Sequence, residues 1–207
     1  MADRDWRIED EEALRKIIGT PMDFVRAKVL DRLNMAMTQF IASSPLIFVS
    51  TIDDLGRPDV SPKGDPAGFV EVDADGGLLI PERIGNRLTF GFHNILRNGE
   101  IGLIFVVPHQ RETLRVKGTA TLCADPQVLE RMQVGGKPAL LYTRVDVSEC
   151  FFHCGKAMIR SKLWDPARHV PRDTFPSLGR ILADQTAAAT VVEAEASIAD
   201  AYRTRLY

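Results

Sequence analysis

The order of apolar and polar positions changes character several times along the chain. In residues 9–18, Leu14, Ile17 and Ile18 fall on one side of a charged segment, which predicts a short amphipathic helix ended by Gly19 and Pro21. Val25, Val29, Leu33, Met37 and Ile41 then recur every four residues and predict a second helix over residues 22–42. From residue 45 the pattern turns β-branched. Residues 45–52 and 58–62 flank the turn Asp53-Asp54-Leu55-Gly56-Arg57 and predict a hairpin. Residues 69–73 and 77–81 predict another around Ala74-Asp75-Gly76. Helical spacing returns over residues 87–96 through Leu88, Phe92, Ile95 and Leu96. Residues 100–107 form a continuous apolar strand. Residues 112–122 alternate, with Leu114, Val116, Gly118, Ala120 and Leu122 on one parity, as a strand with one buried face requires. Asp125 caps a short helix opened by Pro126. The pattern then predicts a last strand over 139–147, a helix over 152–163 and an Ala-rich closing helix over 181–202.

Short strands joined mostly by hairpins favour an antiparallel barrel over a doubly wound sheet. The expected organisation is a single domain, 1–207. It has an N-terminal helical extension over 1–42, a barrel core over 43–165 and a C-terminal helical extension over 166–207. The Pro-rich stretch 165–177 is read as a linker within that domain.

Composition narrows the function classes. The chain has 207 residues, 45% hydrophobic and 26% charged, with a net charge of −2. That balance lacks the excess of cations that nucleic acid or an anionic membrane surface calls for. No apolar run approaches the roughly 18 residues of a membrane span. The charged amino end is not read as a signal peptide. Three cysteines, an odd number, point to reduced thiols and a cytoplasmic setting.

Within this acidic chain the positive charge is concentrated. Residues 81–118 hold Arg83, Arg87, Arg97, Arg111, Arg115 and Lys117 against Glu82, Glu100 and Glu112. Gly85-Asn86-Arg87 precedes a predicted helix, so Asn86 as N-cap, the free N–H groups of the first turn and Arg87 could together hold a phosphate. Ser61-Pro62-Lys63-Gly64-Asp65 ends a strand with a flexible ammonium and a glycine that allows close backbone approach. Arg115 and Lys117 share the strand face opposite Leu114 and Val116. Each segment taken alone also reads as an ordinary solvated surface. Cys150-Phe151-Phe152-His153-Cys154 offers two thiols and an imidazole to a metal. A fourth ligand would have to come from Cys123 or His169, and no metal site is expected. The nucleophile elbow, zincin and P-loop motifs are all missing from the sequence.

Taken in order, the segments "SPKGDPAGFV", "IPERIGNRLTF", "ETLRVKGTA" and "FHCGKAMIRSKLWDP" resemble the pyridoxamine 5′-phosphate oxidase family of split barrels that bind flavin mononucleotide (FMN). The resemblance covers roughly residues 40–165 and implies a mostly β fold with flanking helices, a split antiparallel β-barrel. It implies FMN as cofactor, with Ser61, Pro62 and Lys63 beside the ring and ribityl chain, and Ile80 and Pro81 behind the ring. Asn86 and Arg87 would hold the phosphate, and Arg115 would lie near the flavin. It also implies a homodimer with the flavin at the subunit interface, where Lys156, Arg160, Ser161 and Trp164 are the candidate contributions to the other subunit's site. The family's basic pair is here a single Arg87 followed by Leu88, and its pyridoxal-gripping carboxyl-terminal residues have no counterpart. The expected activity is therefore that of an FMN-dependent oxidoreductase acting on an unidentified small molecule. The alternatives are a split barrel that holds a flavin, a deazaflavin or haem without turnover, or a cofactor-free dimeric interaction module.

Overall fold

Ile47, Val49 and Thr51 are buried while the residues between them are more exposed, the signature of a strand covered on one face. This strand, β1 (Leu46–Ile52), starts the sheet in the computed structural model, which describes residues 6–186 and 188–207. β2 (Pro58–Gly64), β3 (Glu71–Val72), β4 (Leu78–Glu82), β5 (Glu100–Val106), β6 (Thr113–Cys123) and β7 (Leu141–His153) complete it. All neighbours are antiparallel, in the order β2-β1-β5-β6-β7-β4-β3. The sheet is not closed by backbone pairing. Its ends nevertheless approach, because side chains of β2 at one edge touch those of β4, next to the other edge. A strongly curled, incompletely closed sheet of this kind is a split barrel.

The core fills the concave side with Ile47, Val49, Ile80, Leu103, Phe105, Leu114, Val116 and Val145, capped by Met37 and Ile41. Leu79 on the other face of β4 packs with Met132, Ala139 and Tyr142, so β4 is buried on both sides. β6 and β7 shift register at Lys117/Gly118. A side chain at Gly118 would lie 2.1 Å from the Asp146 carbonyl oxygen, so this bulge needs glycine.

Several elements differ from the sequence reading. The helix expected over 22–42 is two helices, α2 (Asp23–Ala27) and α3 (Met35–Ala42), after α1 (Glu11–Ile18). Between them Leu30 exchanges both backbone hydrogen bonds with Cys150 of β7, and Asn34 caps α3 by accepting from the Met37 N–H. The period-four stripe thus runs across two helices and an extended link. The helix expected over 87–96 begins later, as α4 (Phe90–Arg97). α5 (Pro126–Arg131) is capped by Asp125 as expected. The last strand runs to His153, so the helix expected from 152 shrinks to α6 (Lys156–Ser161). The closing helix over 181–202 is a pair, α7 (Leu178–Gln185) and α8 (Val191–Thr204), because Thr190 and Glu193 form a capping box that starts a new helix. Residue 187 within that expectation, and residues 1–5 of the N-terminal extension, lie outside the described residues. No helix among the described residues is long and apolar enough to cross a membrane.

Candidate functional site

The gap in the barrel is bridged by side chains. Directly paired strand residues share a face, so Asp59, Ser61 and Lys63 of β2, opposite Thr51, Val49 and Ile47, project to the concave side. Leu78, Ile80 and Glu82 of β4 do the same from the other end of the sheet. There the Lys63 Nζ donates to Glu82 Oε2 at 2.5 Å, and the Thr143 hydroxyl of β7 donates to Glu82 Oε1 at 2.8 Å. One residue further on, Arg83 Nε donates to Asp65 Oδ2 at 2.8 Å, and Arg83 Nη2 to the Met132 carbonyl. Two ion pairs therefore clasp the seam where ladder hydrogen bonds stop.

Beside the clasp lies a cavity of about 750 Å³, within the roughly 300–1,000 Å³ of small-molecule and cofactor sites. The segment Ile84–Thr89 and the start of α4 form another part of its lining. α4 is fixed across the sheet by Asn94, whose buried amide donates to the Thr51 hydroxyl at 3.0 Å. Arg87 and Thr89 adopt left-handed backbone, φ 63° and 54°, which costs a non-glycine residue on the order of 1–2 kcal/mol. Thr89 occupies the N-cap position of α4 without a side-chain hydrogen bond to the helix N–H groups. Asn86 is not that cap, contrary to expectation. It accepts from the Leu88 N–H at 3.0 Å and shapes the loop instead, because the helix starts three residues later than its spacing indicated. No ion pair or hydrogen bond among the described residues engages the exposed Arg87 guanidinium. An uncapped helix start beside a free arginine is a donor set for an anion.

Burial pushes the Glu82 carboxyl above its ordinary pKa of 4.5, opposed by the Lys63 ammonium and the Thr143 hydroxyl. At the carboxyl end of the chain, Leu206 and Tyr207 also line the cavity. The Tyr207 ring lies 5.8 Å from the Arg83 guanidinium, and the Asp65 carboxylate beside it raises the phenol's pKa.

Of the residues singled out from the sequence, Ser61, Pro62, Lys63, Ile80, Pro81, Asn86 and Arg87 line this one cavity. Arg115 does not line it in the same protomer. Its side chain leaves the convex face of β6 and stacks on Phe151, 5.2 Å from the ring centroid, because the cavity lies on the Leu114 and Val116 side. Lys156, Arg160 and Ser161 of α6 also lie away from it. Trp164 Nε1 donates to the Gln110 carbonyl at 2.7 Å, and its ring lies 6.0 Å from that of His109. Sequence reasoning did not single out Glu82, Asp65, Arg83 or Tyr207. Cys150 is buried, Cys154 exposed and Cys123 intermediate. No group of three or more metal-ligating side chains occurs among the described residues.

Three solved structures show the kind of chain this one is similar to. HupZ of Group A Streptococcus is 21% identical, with a TM-score of 0.47 over 58% of this chain and 93% of that one. A Clostridium acetobutylicum protein related to general stress protein 26 and described as of the pyridoxinephosphate oxidase family is 19% identical, with a TM-score of 0.38 over 56% and 84%. HutZ, the haem storage protein of Vibrio cholerae, is 14% identical, with a TM-score of 0.39 over 58% and 94%. A search of curated proteins found no match. The family model described as pyridoxamine 5′-phosphate oxidase matches residues 33–154, more than half of the chain and the whole of the sheet. The chain therefore belongs to the pyridoxamine 5′-phosphate oxidase family.

Proposed function

We propose that this chain binds FMN in the cavity at the barrel seam and works as an FMN-dependent oxidoreductase on a small molecule. The observation that carries the reading is Arg87, without a partner among the described residues and held in left-handed backbone next to the uncapped start of α4. Backbone strain of this kind persists where function requires a fixed geometry. The residues present fit FMN. Arg87 and the first N–H groups of α4 suit a phosphate, Ile80 and Pro81 offer an apolar backing for a flat ring, and Ser61 and Lys63 offer polar contacts along one edge. When bound, FMN supplies the electron transfer, while the protein binds, orients and excludes water.

The second half of the proposal is a homodimer. On the convex face of the sheet Val60, Phe48 and Ile104 form an exposed apolar strip that continues to Arg115 and Phe151 across directly paired strands. A second copy packed there would bring Arg115, Lys156, Arg160, Ser161 and Trp164 towards the partner's cavity.

Titration of the apoprotein with FMN, followed by flavin fluorescence and by thermal unfolding, tests the binding. Saturable quenching and a rise in Tm with FMN concentration are expected, since a ligand of the native state stabilises it. A flat Tm and unquenched flavin contradict the reading. Bleaching of the bound flavin by NAD(P)H separates an enzyme from a carrier. Sedimentation tests the dimer, and a Phe48→Glu variant should shift the chain to monomer.

A further inference from the structure

We propose that Glu82 exchanges a proton to set how much positive charge Lys63 presents to the cavity, so that added negative charge in the cavity is balanced by a proton on Glu82. The inference rests on the reading that the cavity holds FMN, and extends it to one residue of its wall.

Glu82 stands where the alternation of β4 calls for a hydrocarbon, after Leu78 and Ile80 on the same face, and all three are buried. An ion pair is not needed there for stability, since apolar residues of similar volume generally serve as well or better in a buried position. The pair nevertheless borders the cavity, with both members in its wall. The Glu82 side chain is 6% exposed and that of Lys63 is 21% exposed, so the ammonium reaches the cavity and the carboxylate backs it. The partners of Glu82 tolerate both protonation states. The Thr143 hydroxyl donates to the carboxylate, and can accept from the carboxyl once it is protonated. Lys63 has a second support, its Nζ lying 5.2 Å from the Phe92 ring centroid, so it stays in place when Glu82 is neutral. Burial already favours the protonated carboxyl.

Glu82 is the carboxylate in contact with Lys63, and the other titratable or charged groups of the lining lie around that pair. β2 contributes Asp59 and Lys63, with Asp65 just beyond it. The segment after β4 contributes Arg83 and Arg87, the carboxyl end contributes the Tyr207 phenol, β7 the neutral Thr143, and α4 the apolar Phe92 and Ile95. Asp65 and Arg83 contact and largely cancel each other. With Glu82 ionised the Lys63 pair is likewise neutral. With Glu82 protonated, the Lys63 charge is added to that of Arg87 in the cavity wall. Reduced FMN that has lost its N1 proton carries a negative ring that oxidised FMN lacks, and this anion is the form that draws a proton onto Glu82.

The test compares dissociation constants for oxidised and dithionite-reduced FMN, measured without oxygen from the ordinary carboxyl range upward in pH, for the wild type, Glu82→Gln and Lys63→Met. The ratio of the two constants removes the ionisation of the phosphate, which both forms share, and the N1 ionisation of free reduced FMN, titrated separately, is corrected for. In the wild type the preference for reduced FMN should fall by about tenfold as pH rises through the Glu82 titration, corresponding to about one pKa unit of coupling. Glu82→Gln, with a permanently neutral partner for Lys63, should keep the full preference at every pH. Lys63→Met should lose it throughout. A Gln variant that follows the wild-type profile, or one that weakens both forms equally as a purely structural residue would, overturns the proposal. Calorimetry of the wild type in two buffers of different ionisation enthalpy counts the proton without any variant. At a pH where free reduced FMN is already the anion, more protons taken up with reduced than with oxidised FMN are expected, and equal counts overturn the proposal. A wild type that binds neither form sinks the FMN reading and this inference together, an outcome distinct from binding that ignores Glu82.

Discussion

The two walls of the cavity are charged in different ways. At the seam, Lys63 and Arg83 each touch a carboxylate, and three of the four side chains involved are at most 14% exposed. Elsewhere in the lining, Arg87 lies exposed in strained backbone with no partner among the described residues. At the seam each cation is balanced by a carboxylate in contact with it, and the loop wall leaves its charge unbalanced. The difference separates cations whose charge is held in pairs from one whose charge is available to a ligand at once.

The largest effect expected from breaking this contrast is at the seam. Asp65→Ala leaves the Arg83 guanidinium buried without its carboxylate and should cost about 3–5 kcal/mol of stability in denaturant unfolding. Replacing both members with apolar residues, Asp65→Leu with Arg83→Met, should cost far less. Equal losses would mean that the pair itself supplies the stability. Next is Glu82, whose folded carboxyl keeps its proton above the ordinary value of 4.5. Its contribution is fully present below that value and is lost as pH rises through the higher folded value. Glu82→Gln should therefore flatten the decline of Tm with pH above the ordinary carboxyl range, and an unchanged slope would place the titration elsewhere. The smallest effect belongs to the loop. Thr89→Gly should relieve left-handed strain and raise stability by up to about 1 kcal/mol while loosening the start of α4. A destabilised variant would show that the Thr89 side chain supports the loop.

The strands were legible because their periodicity is local: alternation at Ile47, Val49 and Thr51, and at Leu114, Val116 and Ala120, needs no knowledge of partners. The helix over 22–42 was misread because residues near Leu30 pair with Cys150, a contact that depends on the folded sheet. Asn34, the cap that starts α3, was the local signal that could have corrected it. At the site, Lys63 and Arg87 were visible as cations at a strand end and before a helix. Glu82 carried a signal as well, a carboxylate in step with Leu78 and Ile80, but it was counted only as one acid in a basic window. Asp65, Arg83 and Tyr207 meet through the curl of the sheet and the return of the carboxyl end, which no stretch of a dozen residues encodes. For Arg115 the alternation gave the right parity, but not which face of the barrel carries the cavity.

The central claim is that the free arginine of the loop wall grips a phosphate. The most direct test measures the affinities of FMN and of riboflavin, which lacks the phosphate, for the wild type and for Arg87→Ala. Loss of a charge-assisted contact should weaken FMN by about tenfold to a hundredfold and leave riboflavin almost unchanged. Equal weakening of both ligands, or an FMN affinity indifferent to Arg87, would contradict the account.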